Sequence, residues 1–307
     1  MPKGTWQPNL SKPLADVLAE IGEVFPRAAE VVLAGEWRGS GRFCPAARYS
    51  LLVGGKRLRP ALVILGAHAT GMPRVSGHRL LSIAVAVEMI HTYSLIHDDL
   101  PCMDDDAIRR GAPTCHVAHG VADATWAGTA LMVRAFQSLA RGFFGTESLP
   151  VAARIMAEAA GFGGMVGGQW LDTELPASAV APELFAEVHA RKTAALIAGC
   201  CALGGLAGGS DDAAIRALCE YGSCLGRAFQ AVDDLLDAMG DERMVGKRVG
   251  KDAAAGKLTA PSALGIEGTR THVEGLAAQA VASLGPLSGP AIPLLRELAV
   301  QQSRRSN

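Results

Sequence analysis

A single all-α domain is the fold this sequence predicts, and three observations carry the expectation. Apolar residues recur at helical spacing along almost the whole chain. Alternating apolar and polar runs, the mark of half-buried strands, are nearly absent. Several helical stretches are apolar on every side, so some helices must lie inside a bundle. Of 307 residues 49% are hydrophobic, enough for a sizeable core, and the 5% aromatic content leaves its packing to Leu, Ala, Val and Ile.

Helices are expected over Leu14 to Val24, Leu58 to Ala69, Val75 to Asp98, Ala122 to Arg141, Val151 to Val166, Pro182 to Leu206, Asp211 to Met239 and Ala291 to Gln302. Pro101 closes the helix that carries Asp98, because proline cannot continue the hydrogen-bond ladder. Breaks containing Gly or Pro fall near Gly35–Gly41, Gly111–Pro113, Asp172–Pro182, Gly240–Gly256 and Gly285–Pro293. None reads as a long linker and no short tandem repeat occurs, so residues 1–307 are expected to form one domain.

The formal net charge of −1 argues against general nucleic-acid binding, which needs a basic surface. Seven cysteines, scattered without CxxC pairs, point to a reducing compartment. Cys200 and Cys201 are adjacent, poor disulfide partners, and read as small core or interface residues. The first residues lack an apolar signal core, and apolar runs such as Leu80 to Ile90 fall short of the roughly 20 residues that span a bilayer. A cytoplasmic protein without an integral membrane segment is therefore expected.

Two acidic clusters dominate the chemistry. Asp98 and Asp99 end a helix, and Leu-Pro-Cys-Met makes a turn that returns Asp104, Asp105 and Asp106. Five acids in nine positions exceed what helix capping requires, and they repel unless cations neutralise them. Arg109 and Arg110 follow, with fork-shaped donors suited to phosphate oxygens. In the second cluster Asp233 and Asp237 are four apart and share a helix face with Gln230, flanked by Asp234 and Asp241. A solvated acidic face is the ordinary explanation for such a run, but Phe229, Val232, Leu235 and Leu236 surround these acids. Carboxylates without Cys or His nearby favour a hard cation, Mg²⁺ above all. A third element, Gly54-Gly55-Lys56-Arg57-Leu58-Arg59-Pro60, is weak alone but supplies a second cationic site for another anion.

With these blocks in place the chain resembles the trans-isoprenyl diphosphate synthases, the polyprenyl synthetase family, and most closely their bacterial short-chain members. The resemblance runs from about Tyr49 to Glu267. It covers the glycine-basic element at 54–60, Ile-His-Thr-Tyr-Ser-Leu-Ile-His-Asp-Asp-Leu-Pro at 90–101 and Arg-Arg-Gly at 109–111. It continues through Gly-Gly-Gln at 167–169, Lys192-Thr193, the second acidic cluster at 229–237, Lys247 and Lys257.

The resemblance implies a helical bundle of the isoprenoid synthase type with a central active-site cavity, and assigns roles position by position. Asp98, Asp99 and Asp104, with Asp233, Asp234 and Asp237, would hold several Mg²⁺ ions bridging an allylic diphosphate. Arg109, Lys192 and Lys247 would contact that diphosphate, with Lys257 nearby. Lys56, Arg59, His91 and Arg110 would form the pocket for isopentenyl diphosphate. Gln169, Thr193 and Gln230 would line the reaction centre. Tyr93 and Ser94, five and four residues before Asp98, would set product length. Tyr93 resembles the farnesyl diphosphate synthase pattern, although an ideal helix wheel brings Ser94 nearer the Asp98 face. A homodimer is expected on the same ground.

His97 reads as structural, Met89 and Met103 as packing, and Trp126 and Trp170 as core or interface filling rather than substrate contacts. Ala107 stands where relatives often carry another acid, Thr129 where they have Asp, and the tail beyond Gly268 matches poorly. Geranylgeranyl diphosphate synthesis, a head-to-head coupling enzyme or terpene cyclase, and a non-catalytic subunit of a heteromeric synthase are the alternatives. The cyclase and coupling readings call for no Lys56/Arg59 pocket, and non-catalytic subunits usually have damaged aspartate motifs.

Overall fold

A computed structural model describes residues 6–33, 41, 43–71, 76–174, 182–240 and 258–305. The chain is all-α, as expected, and its helices gather into two compact units. Residues 1–64 and 75–153 form the first, residues 65–74 and 154–307 the second.

The first unit holds α1 (Leu14–Leu33), α2 (Phe43–Leu52), most of α3 (Leu58–Ala67), α4 (Gly77–Asp98), α5 (Cys115–His119) and α6 (Val121–Gly142). α1 runs nine residues past its expected end, through Pro26. Its buried stripe of Leu14, Val17, Ile21, Phe25, Ala28, Ala29 and Val32 repeats across the proline, so packing outweighs the lost hydrogen bond. Arg134 closes the end of α1 by donating to the Val32 carbonyl at 2.5 Å.

The spine of this unit is α4, buried from Leu80 to Met89 except for part of Ser82. By length and composition α4 could cross a membrane, but most of it is core. It packs on α6, where Gly128 makes room for His97: a Cβ there would stand 2.4 Å from the imidazole Nε2. After α4 the chain turns through the first acidic cluster into a small antiparallel hairpin, β1 (Ile108–Arg109) with β2 (Ala112–Pro113).

The second unit holds α7 (Leu149–Ala160, whose first turns lie in the first unit), α8 (Met165–Glu174), α9 (Pro182–Val188), a π-helical turn (His189–Ala194), α10 (Ala195–Gly208), α11 (Asp212–Met239), α12 (Ala260–Ser283) and α13 (Ile292–Arg305). The helix expected over Val151 to Val166 is broken at Gly161–Gly164, and the one expected over Pro182 to Leu206 contains the π turn. Asp211 caps α11 by accepting from the Ala214 amide at 2.8 Å, and Gly240 ends it in the left-handed region. α12 opens on a capping box between Thr259 and Ser262 and kinks at Gly265. α2, α5, most of α8 and α12 had not been expected. Behind α11 and α12 the core contains Phe185, Ala228, Val232, Leu236, Val273 and Leu276. The expected break at residues 240–256 lies, after Gly240, outside the described residues, as does most of that near 35–41.

Candidate active site

In the first unit the acidic turn is tied back on itself. The Asp104 amide donates to the Asp98 carbonyl at 2.8 Å, and the Met103 and Asp105 amides donate to the Leu100 carbonyl at 2.8 and 3.2 Å. This brings Asp104 back beside the end of α4, as the sequence predicts. Asp98 is half-buried and Asp104 exposed. Asp99 differs: it is 3% exposed, and Arg109 grips it with Nε at 2.8 Å from both oxygens and Nη2 at 2.6 Å from Oδ1. Burial raises the Asp99 carboxyl against the opposing pull of Arg109. The sequence reading offered Arg109 to phosphate and Asp99 to metal; here each is occupied by the other.

Beside this turn lies the basic element. Lys56 is exposed and Arg59 half-buried. Arg57 turns inward: it is 5% exposed, bonds Glu88 Oε1 at 2.8 Å and lies 4.4 Å over the Phe25 ring. Arg110 returns from the hairpin to donate to the Val53 and Gly54 carbonyls at 3.4 and 3.3 Å, with Nη2 3.4 Å from His91 Nε2. Burial foremost, then Arg59, Arg110, Arg109 and Arg57, hold the His91 pKa well below its usual value. His91 is therefore a neutral ring among guanidinium groups. Lys56, Arg59, His91 and Arg110, expected as one pocket, belong to one unit, and the sequence reading missed Glu88 among them.

Further along α4, Tyr93 is 6% exposed and meets His97 edge to face at 5.8 Å. Burial and Asp98 push its phenol up to about 12. Ser94 is half-buried and donates to the His91 carbonyl at 2.9 Å. His97 Nε2 lies 3.2 Å from the Thr125 carbonyl, in keeping with a structural role. Met89 is core, whereas Met103, Trp126 and Trp170 are exposed, so neither tryptophan fills the core of this chain. Thr129 bonds back to Thr125 of its own helix.

In the second unit the π turn presents Lys192 and Thr193. A π turn inserts an extra residue into the helical ladder and re-aims the side chains beside it. Lys192 bonds Asp172 on α8 at 2.5 Å. Gly168 lets α8 approach so closely that a Cβ there would stand 2.1 Å from the Lys192 nitrogen. The next residue, Gln169, has its Oε1 buried without a hydrogen-bond partner among the described residues. On α11 Gln230 accepts from Thr193 Oγ1 at 2.7 Å and donates to Asp234 Oδ1 at 2.9 Å. Asp234 also takes His189 Nε2 and the Ala260 amide on its other oxygen, both at 2.9 Å. Burial would raise this carboxyl, but His189, Ala260 and Gln230 outweigh it and leave its pKa below the usual range.

Gln230 thus bonds Asp234, one turn along α11, and, three residues before Asp233, is half-buried as Asp233 is. Asp234, read as a metal ligand, is a 4% exposed acceptor for three donors, while Asp233 is half-buried and Asp237 buried. His189 and Asp172 were missed; His189, three residues before Lys192, carried no signal beyond its spacing. Asp241, Lys247 and Lys257 lie outside the described residues.

Carboxylate oxygens are the donors Mg²⁺ prefers. Among the described residues no three His, Cys, Asp or Glu side chains gather closely enough to hold an ion by themselves. An ion bound here would therefore need water or substrate oxygens beside these carboxylates.

The sequence pattern of the family described as Polyprenyl synthetase matches residues 42–281. The chain is 44% identical over 245 residues to the farnesyl diphosphate synthase of Escherichia coli (strain K12), covering 78% of this chain and 81% of that protein. It is 43% identical over 241 residues to geranylgeranyl pyrophosphate synthase 9, chloroplastic, of Arabidopsis thaliana, covering 76% of this chain and 66% of the relative's length. Among solved structures, the geranyltransferase of Legionella pneumophila superimposes with a TM-score of 0.81 at 30% identity, over 96% of this chain and 98% of that one. That of Helicobacter pylori, complexed with magnesium and isoprenyl diphosphate, does so with a TM-score of 0.78 at 29% identity, over 95% and 96%.

Proposed function

The chain belongs to the polyprenyl synthetase family and is a short-chain trans-prenyltransferase, and we propose that it condenses isopentenyl diphosphate head-to-tail with dimethylallyl or geranyl diphosphate and stops at farnesyl diphosphate. The observation that supports this reading is that Arg59 and Arg110 bear on His91 in the compact unit that also holds Lys56 and the first acidic cluster. A cyclase or a head-to-head coupling enzyme has no isopentenyl diphosphate to place there.

Ionising an allylic diphosphate separates a carbocation from a highly charged leaving group. Asp98, Asp99 and Asp104 of the first acidic cluster, and Asp233, Asp234 and Asp237 of the second, would hold Mg²⁺ with the diphosphate, and the metal would supply positive charge where that negative charge develops. The pairings of Asp99 and Asp234 give these two a further task, holding Arg109 and the Gln230–Thr193 pair in place. Arg109, Lys192 and Lys247 contact the allylic diphosphate, with Lys257 nearby, and Gln169, Thr193 and Gln230 line the reaction centre. The cation alkylates the double bond of isopentenyl diphosphate, and the proton lost goes to the released diphosphate, so no side-chain base is required. Water has to be excluded, since it would trap the cation. Tyr93, with Ser94, limits the chain. We place the enzyme in the cytoplasm as a homodimer.

The decisive assay incubates the protein with Mg²⁺, labelled isopentenyl diphosphate and each allylic primer, and reads product length by chromatography. Products that stop at farnesyl support the assignment. Geranylgeranyl products move the floor beyond Tyr93 and keep the mechanism; similar identities to relatives of both names make this the second reading. Products formed without isopentenyl diphosphate refute elongation, and none with any primer leaves a non-catalytic subunit. Asp98→Ala and Asp233→Ala should each lower turnover by about 100-fold or more with folding retained; near-normal rates in either would remove that residue from the metal site.

A further inference from the structure

We propose that Glu88 is a positioning residue for isopentenyl diphosphate: a buried carboxylate on α4 that fixes the 54–57 loop before α3 and Arg110 in the geometry the pocket needs. The inference rests on the pocket assignment above. Glu88 sits between Val87 and Met89 in the apolar middle of α4 and is 1% exposed. A charged carboxylate there is costly unless paired. Its pairing is double. Oε1 bonds Arg57 Nη1 at 2.8 Å and lies 4.0 Å from Arg110 Nη2.

Those two arginines share a second property. Arg57 and Arg110 both have positive φ, 50° and 55°, a region that side chains with a Cβ rarely occupy. Surroundings must hold such a conformation. For Arg57 they are Glu88, the Leu52 carbonyl at 3.3 Å and the face of Phe25. Turning Arg57 inward leaves its neighbours Lys56 and Arg59 to serve the pocket. For Arg110 they are Glu88, the Val53 and Gly54 carbonyls, and Gly55, over which its guanidinium lies so closely that a Cβ would meet Cζ at 2.8 Å. Loop and hairpin are therefore docked on one carboxylate.

Charge makes that carboxylate necessary. Arg57, Arg59, Arg109 and Arg110 surround a His91 that stays neutral. Asp99 answers Arg109, whereas Glu88 faces Arg57 and Arg110. Without its charge the last two repel each other, and Arg110 can no longer hold its place beside His91. The loss falls on the anion these arginines await, not on the allylic substrate.

The test compares wild type, Glu88→Gln and Glu88→Asp in the full chain, by steady-state kinetics with both substrates and by calorimetric binding of isopentenyl diphosphate. For Glu88→Gln we expect KM and Kd for isopentenyl diphosphate to rise tenfold or more. The allylic KM should stay within twofold, and Glu88→Asp should recover most of the loss. Unchanged isopentenyl diphosphate constants in Glu88→Gln, or equal losses for both substrates, overturn the inference. If Glu88→Gln does not fold, the double variant Glu88→Gln/Arg57→Met removes both buried charges and should fold with the same weakened binding; wild-type binding in that variant overturns the proposal. A wild-type protein that binds no isopentenyl diphosphate sinks the pocket assignment and this inference together, whereas normal wild-type binding with unaffected variants sinks the inference alone.

Discussion

Asp99 and Asp234 meet their donors inside the chain, before any ligand arrives. The sequence makes them look like their neighbours Asp98 and Asp233. What separates each pair is a partner brought in by the fold, Arg109 ten residues on for one and His189 forty-five residues back for the other, and no pattern of the acids themselves displays it. Acid positions were legible; acid employment was not. The same holds for His91, whose neutrality comes from burial and four arginines. A histidine whose folded pKa lies below its unfolded value of about 6.5 withholds a proton that the unfolded chain accepts. Its contribution is whole above that value and is lost as pH falls through it. Stability should therefore decline between pH 7.5 and 5.5, and by less in His91→Gln. His68 and His272 are lowered by burial too and keep part of the decline in both proteins. Urea unfolding at the two pH values measures this; identical differences would mean that His91 protonates freely when folded.

At the scale of elements, the long helices were legible because their apolar period is strong, α4, α6 and α11 falling within two residues of expectation. α12 was hidden by Gly265, Gly268 and Gly275, which lower helix propensity in a stretch held by burial of Val273, Leu276 and Ala280. The π turn was equally invisible, since one extra residue in a ladder leaves composition unchanged. Its support is visible in structure: Gly168 of α8 lies against Lys192, and Gly226 of α11 against Ala194, where a Cβ would come within 2.5 Å of Cα. Gly168→Ala should therefore push α8 from the turn that carries Lys192 and Thr193. We expect it to cost about 1–3 kcal/mol of stability and to lower kcat. Gly163→Ala, with nothing within 4 Å of its added methyl, is the control and should change stability by under about 0.5 kcal/mol. Urea titrations and turnover measured on both variants check this; a Gly168→Ala protein as active and stable as the control would show that α8 yields without disturbing the turn.

At the scale of the whole molecule, the apolar surface of α6 asks for a partner. Its inner face is core through Ala124, Ala127, Leu131, Ala135 and Leu139. Its outer face carries Trp126 at 62% and Val133 at 55% exposure, seven residues apart and so on one side of the helix. Two large apolar side chains on one face, in a chain with few aromatics, match the core of an interface better than a solvated surface. A second copy is the occupant we propose, and the sequence reading of Trp126 as interface filling belongs to the same proposal. Trp126→Glu would set two like charges against an apolar contact if the face is shared about a two-fold axis. Light scattering at working concentration should then give a dimer for the wild type and a monomer, or a tenfold or greater rise in dimer Kd, for the variant. The test separates the proposal from plain exposure. A wild-type monomer refutes the dimer, and an unweakened Trp126→Glu dimer moves the interface away from this face of α6.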